Sequence, residues 1–218
     1  QWEGDFSAKL ELKQGALFFQ SSGYRFLLFE DNSHTQNQGS SQSFGPSLDH
    51  QHPRRALAFE AEYLGAKPNN NWQPQGESAY PRHYFLGNNP ENWKTNLGSF
   101  TENQLEDFLP GINLHFKEHN QLLKYDIQLS KDAKPSDIKV VYHGLEGLSI
   151  KEGKLHLRTA FGEVIESIPY SYQLIRGERK RVKVDYQLSG DTVSFKVKGY
   201  QSGFPLVIDP VLEFATFS

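Results

Sequence analysis

His115-Phe116-Lys117-Glu118-His119 carries the H-x-x-E-H pattern that holds zinc in one class of peptidase. That chemistry needs a helix, because only there do residues four apart share a face and converge on one metal. Here the run follows Gly111, and Ile112 to Phe116 alternates apolar and polar as a strand does. On a strand the two histidines would stand about 13 Å apart, so no zinc site is expected. His34, His50, His52, His83, His143 and His156 are scattered. Glu163 and Glu166 lie three apart in an extended stretch, which turns them to opposite faces. Glycosidase chemistry needs two carboxylates across a cleft. No calcium loop, phosphate-binding glycine loop or G-x-S-x-G elbow is present. The absence of cysteine excludes disulfides, thiolate metal sites and cysteine nucleophiles. The expectation is a non-enzyme with no cofactor and no metal.

Binding residues remain. Trp72, in a polar stretch, is a candidate platform for stacking on sugars, whereas most of the 16 Phe and 10 Tyr are expected in a β core. Arg176, Arg179, Lys180, Arg181 and Lys183 flank a turn with acids interspersed, and read as a solvated hairpin tip. With 23 basic against 26 acidic side chains, the net charge of −3 gives no electrostatic footprint for nucleic acid. No apolar run is long enough to span a bilayer. With no methionine in its 218 residues, Gln1 is not a translation start, and the chain is expected to be part of a longer, processed product.

The elements that must position these residues read as strands. Phe6–Leu12, Leu57–Tyr63, Val182–Leu188 and Val193–Val197 alternate apolar with polar, the pattern of antiparallel sheets with one wet face. Turn chemistry at Lys151–Lys154, Arg176–Glu178 and Ser189–Asp191 separates such runs. Asn89-Pro90-Glu91 reads as a capped helical turn, and Thr101–Gln104 has capping-box spacing leading into Leu105–Phe108, so a short helix is expected at each. The fold class is all-β, an antiparallel sandwich-like arrangement with one or two short helices. Two subdomains are expected, residues 1–130 with a polar loop at 31–55, and residues 131–218, meeting near Ser130–Pro135. Asp209, before Pro210, is expected to latch nearby backbone N–H groups, and Trp93 to plug the core.

From His83 onward a family pattern emerges. His83–Asn96, with Gly87, Asn89, Pro90 and Trp93, resembles an "N-Y-F-x-G-N-D-P-x-x-W-x-T-N" element. Leu109-Pro110-Gly111-Ile112-Asn113-Leu114 resembles "Y-P-G-I-D-L", and Leu123-Lys124-Tyr125-Asp126 resembles "L-K-Y-D-F". Gly162 to Glu166, Pro169, Tyr172 and Gln173 resemble "G-x-x-x-E-x-x-P-x-x-Y-Q". Pro205–Pro210 matches "P-L-V-I-D-P", and Phe214–Phe217 resembles "F-S-T-Y". These elements keep the order of an extracellular domain of unknown function. That domain lies near the N-terminus of seven-bladed β-propeller (SBBP) repeat proteins and occurs in gliding-motility-associated, type IX-secreted surface proteins of Bacteroidota. The resemblance implies secretion or a cell-surface location, and a parent with further modules. Asp191-Thr192-Val193 also resembles the short O-glycosylation signal of such proteins, with Thr192 as acceptor.

The expected function is a structural or interaction module serving assembly, adhesion or display. Its partners would be other modules of the parent chain or surface and filament subunits. Strand-edge pairing through Val211, Leu212, Phe214 and Phe217 is the available mechanism. The alternative is carbohydrate binding through exposed aromatics, and glycans are the corresponding partners.

Overall fold

The computed structural model describes residues 6–12, 15–30, 55–67, 72–77, 82–84, 88–98, 100–119 and 122–216. Their strands, in chain order, are β1 Ala8–Leu12, β2 Gly15–Gln20, β3 Gly23–Phe29, β4 Ala56–Tyr63, β5 Gln73–Glu77, β6 Arg82–Tyr84, β7 Lys94–Leu97, β8 Phe100–Leu109, β9 Ile112–His119 and β10 Leu122–Leu129. There follow β11 Lys139–His143, β12 Gly147–Lys151, β13 Lys154–Thr159, β14 Gly162–Glu166, β15 Tyr170–Ile175, β16 Glu178–Ser189, β17 Thr192–Lys198, β18 Leu206–Asp209 and β19 Leu212–Thr216. Helix is confined, among the described residues, to single 3-10 turns at Pro90–Asn92 and Pro135–Asp137. No helix among them is long and apolar enough to cross a membrane.

Thirteen strands form one antiparallel sheet in the order β1-β2-β3-β4-β11-β17-β16-β15-β18-β10-β9-β8-β5. It curls until its ends meet. Phe19 on β2 lies 5.2 Å from Phe116 on β9, and Trp72, just before β5, donates its indole N–H to the Gln20 carbonyl at 2.8 Å. The interior is filled by the inward set of each alternating strand, including Leu17, Phe26, Phe59, Leu114, Ile127, Val184 and Ile208. Residues 130–135 link β10 to β11 within this sheet, and strands from either side of that segment pair with each other, β11 with β4 and β18 with β10. A second sheet, β12-β13-β14-β19, packs onto the first beside β10 and β16. Its Leu155, Leu157, Val164 and Leu212 join the same core. A two-stranded piece pairs β6 with β7.

The expected helix at Thr101–Phe108 is instead β8. Leu105 pairs with Leu114 and Leu109 with Ile112, so four steps on β8 face two on β9. The bulge places Asp107 at φ 48° and turns Leu105, Phe108 and Leu109 all inward. Asp107 N–H donates to Asn113 Oδ1 at 2.8 Å, Gly111 N–H donates to Asp107 Oδ1 at 2.7 Å, and Lys67 caps the other carboxylate oxygen. This explains the Pro110–Asn113 motif. Gly111 sits at φ 69°, where a side chain would strain the turn, and a Cβ there would meet Ser130 Oγ at 2.4 Å.

Candidate functional site

Among the described residues, the densest convergence of ionisable groups lies inside the protein. On β14, Gly162, Val164 and Glu166 face inward while Glu163 and Ile165 are half-buried. Glu166 is 1% exposed. Its Oε1 accepts from the Tyr142 hydroxyl at 2.9 Å, and its Oε2 from Tyr125 at 3.0 Å and Tyr186 at 3.1 Å. These donors stand on β11, β10 and β16, so one carboxyl group from the small sheet is gripped by three strands of the large one. The single proton of the Tyr186 hydroxyl is shared with a second acceptor, the Ser167 carbonyl at 3.1 Å. Ser167 N–H donates to the Val211 carbonyl at 2.9 Å, and Val211 N–H donates to Ser167 Oγ at 3.0 Å. Tyr24 and Tyr63 complete the layer, and the Tyr24 hydroxyl makes no hydrogen bond of normal geometry.

Burial raises the Glu166 carboxyl above its ordinary value, and the phenol donors pull it back. All five tyrosines are pushed well above theirs, chiefly by desolvation and further by the Glu166 charge in each. A general acid must reach a substrate proton. Glu166 is sealed from solvent and its oxygens are engaged by phenols, so the arrangement pins two sheets together.

On the outer face, three groups of side chains stand in a row across the large sheet. His115 Nε2 on β9 lies 2.8 Å from Glu102 Oε2, without the alignment of a hydrogen bond. Next comes a carboxylate pair. Asp209 is raised to about 6, first by burial and then by the neighbouring Asp126, while Asp126 meets Lys117 at 3.6 Å. Beyond them β15 presents Tyr170, Tyr172 and Leu174, and β16 presents Arg179 and Arg181. Arg179 lies over the Tyr172 ring at 4.6 Å and Arg181 over Tyr170 at 5.6 Å.

The residues singled out in the sequence fare unevenly. His115 and His119 lie on the extended β9, and His115 is turned to Glu102. Among the described residues no three His, Asp or Glu side chains are grouped to hold a metal ion. Trp72 is no platform. It is buried with its N–H bonded, and its ring packs on Phe19 and Phe116. Trp93 is no core plug, being 39% exposed after the turn that Asn89 caps by accepting from Glu91 N–H. Asp209 is no backbone latch through Oδ1, which is buried without a hydrogen-bond partner. Gln173, by contrast, is a latch. Its amide donates to the Gln201 and Phe204 carbonyls and accepts from Gln201 N–H at 2.7 Å. Tyr125 serves the Glu166 pin, and Pro169 and Pro210 are buried. Thr192 opens β17 after the Gly190 turn and pairs with Ser189. Val211 is held by Ser167, Leu212 is fully buried, and β19 pairs with β14, so this strand is built into the fold. Gly87, Phe217, His34, His50, His52 and the 31–54 part of the polar loop lie outside the described residues.

In the sequence Glu166 stands out as half of an acid pair and as the acid of the Gly162–Gln173 motif. The signal that finds it is parity, since it shares the inward face of β14 with Val164. Glu163, the other acid of that pair, is half-buried on the opposite face of β14. It meets His156 at 2.8 Å and Lys151 at 3.4 Å, and its carboxyl is held low first by His156.

The chain belongs to the family described as Domain of unknown function (DUF7948), whose model matches residues 1–211. No curated protein matches the chain, and no solved structure does.

Proposed function

With membership of that family as the premise, we propose that the domain is a non-enzymatic structural and interaction module of a secreted or cell-surface bacterial protein, serving assembly, adhesion or display. The finer resemblance supports this location, since its motif elements are those of domains in SBBP repeat proteins and in gliding-motility-associated, type IX-secreted proteins of Bacteroidota. The observation that carries the reading is the use made of Glu166. Among the described residues, the strongest gathering of ionisable groups is sealed in the core and spent on joining two sheets. Function then falls to the surfaces. One of them is the outer edge of β19, which pairs with β14 on its other side; Val211 just before it bridges Lys124 on β10, and among the described residues no strand is laddered along the rest of that edge. An unpaired edge of this kind accepts a strand from a neighbouring module or subunit.

Because β19 also closes the core through Leu212, deleting it would test folding rather than assembly. The discriminating experiment is photo-crosslinking on intact cells from a reactive residue placed at Glu213, with protease added outside the cells. The expected result is cleavage of the parent protein before lysis, and a crosslink to a second module or surface subunit. A parent that resists protease until lysis overturns the location, and crosslinks confined to this domain overturn assembly through β19.

A further inference from the structure

We propose that the outer face of β15, β16 and β17 binds an acidic polysaccharide, with Arg179 and Arg181 as its principal contacts. The inference deepens the reading of the domain as an interaction module and rests on it for the ligand's presence at a cell surface.

Three observations carry it. The first is charge segregation. Arg179, Arg181 and Lys183 follow one another on the outward face of β16, and Lys196 and Lys198 lie beside them on β17. Asp185 is the acid set among them, at 3.7 Å from Lys183 and 3.3 Å from Lys198, and Asp209, opposite Tyr170, borders the face at β18. The chain as a whole carries more acid than base, so this face is positive against the background. The second is that, among the described residues, neither Arg179 nor Arg181 has a carboxylate partner, and both are exposed. The third is how they are held. Each guanidinium rests on a tyrosine of β15, which fixes its plane by cation–π attraction and leaves its N–H fork free. A fork so held is suited to two-point bonding with a carboxylate or sulfate.

The geometry also selects the kind of polyanion. Successive cations on β16 are two residues apart, roughly 6–7 Å along the strand. They form a straight row that an extended chain with repeated charges can follow. The tyrosine rings already carry guanidinium groups and lie against each other at 6.0 Å. What they offer is phenol hydroxyls rather than open planes, which suits a hydroxyl-rich sugar better than a nucleobase that needs to stack. Leu174, half-exposed, adds apolar surface along one side of the row for the C–H faces of sugar rings.

The test is calorimetric titration of the 218-residue chain with polygalacturonate, against neutral dextran, poly-glutamate and oligothymidylate. Binding to polygalacturonate is expected, with none to dextran, and with a loss of about tenfold or more in the double variant R179Q/R181Q. The double variant R179K/R181K keeps the charge and loses the fork, so it should also bind more weakly. Should R179Q/R181Q fold poorly, K196Q carries the same test with a smaller loss. Absence of polygalacturonate binding overturns the proposal, as does binding that these substitutions leave unchanged. Equal affinity for poly-glutamate or oligothymidylate, fully restored by lysine, also overturns it, because charge alone would then explain the face. Protease accessibility on intact cells separates this from the broader reading. A surface-exposed parent whose domain ignores polygalacturonate defeats only the ligand. Binding by a domain whose parent is internal defeats only the module.

Discussion

Two regions of this molecule are made of the same parts, tyrosines beside a charge, and use them in opposite ways. Around Glu166 the phenols of Tyr125, Tyr142 and Tyr186 point at the charge and donate to it where water is absent. On β15 and β16 the rings of Tyr170 and Tyr172 lie under the charge, and the guanidinium groups of Arg179 and Arg181 stay wet. Hydrogen bonds in the dry site are electrostatically strong, and an unpaired group there is costly. In the wet site the same attraction contributes at most about 1 kcal/mol, and its donors remain free for a ligand. Burial, more than residue type, decides whether a tyrosine–charge cluster holds the fold or recognises a partner.

The comparison predicts its largest effect at Glu166→Ala. The substitution leaves the phenols of Tyr125 and Tyr142 in the core without an acceptor, leaves Tyr186 with the Ser167 carbonyl alone, and removes the tie between the small sheet and β10, β11 and β16. Breaking a buried charged network costs about 3–5 kcal/mol, and urea unfolding should show a loss of that size. A loss below about 1 kcal/mol would mean that the phenols find other acceptors and that Glu166 is no pin. Tyr186→Phe comes next, at about 1.5–3 kcal/mol, the range for a hydrogen bond to a charged group, because its hydroxyl serves both Glu166 and the Ser167 carbonyl. Adding it to Glu166→Ala should cost less than the two losses summed, since both act on one network. Full additivity would show that the hydroxyl matters through Ser167 alone.

How far the sequence reveals these regions depends on the range of the interactions. Alternation marks most strands, and the Ser189–Asp191 and Lys151–Lys154 turns fall where their residues indicate. The β8 error has a local cause. A bulge at Asp107 gives Leu105 and Phe108 an i, i+3 spacing that imitates a helix face. Trp72 is misread because its partners, Gln20, Phe19 and Phe116, are far away in sequence and meet it only when the sheet curls. Glu166 is readable by parity, but its donors come from residues 125, 142 and 186, and no local pattern brings them together. The Arg–Tyr face is the intermediate case. The basic cluster is visible and so is the hairpin, while the pairing of Arg179 with Tyr172 needs the β15–β16 register.

The difference between dry and half-dry carboxyls also sets a pH dependence. A carboxyl raised in the folded state contributes stability that is complete below its unfolded value and disappears as pH climbs through its folded value. Glu166, raised by burial, should therefore make the protein less stable as pH rises above 4.5, and Glu166→Gln should remove that slope. Asp209 belongs to the outer face and is only partly buried. Its contribution should fade between 3.8 and about 6, and Asp209→Asn should flatten the curve in that window alone. At the alkaline end the sign is the same. The five buried tyrosines are held above 10, so stability should fall as pH passes that value. Urea midpoints of the wild type and the two variants across pH give each slope directly. A wild-type curve parallel to Glu166→Gln would place Glu166 in a far wetter setting than its 1% exposure implies.

The smallest expected effect is also the one that separates the two regions most cleanly. Arg179→Ala removes a guanidinium that is exposed, has no carboxylate partner among the described residues, and rests on Tyr172 at 4.6 Å. An exposed cation–π contact is worth about 0.5–1 kcal/mol, and ordering the long side chain costs part of that gain. The net change in unfolding free energy should therefore stay within about 0.5 kcal/mol. A loss near that of Tyr186→Phe would make the outer face a structural element like the inner one, and its free N–H fork would no longer mark it as a recognition surface. A near-zero change, together with weaker polygalacturonate binding, is the outcome that keeps the two regions distinct. The carboxyl inside would then be needed to fold, and the charge outside would be dispensable for folding because it is reserved for a ligand.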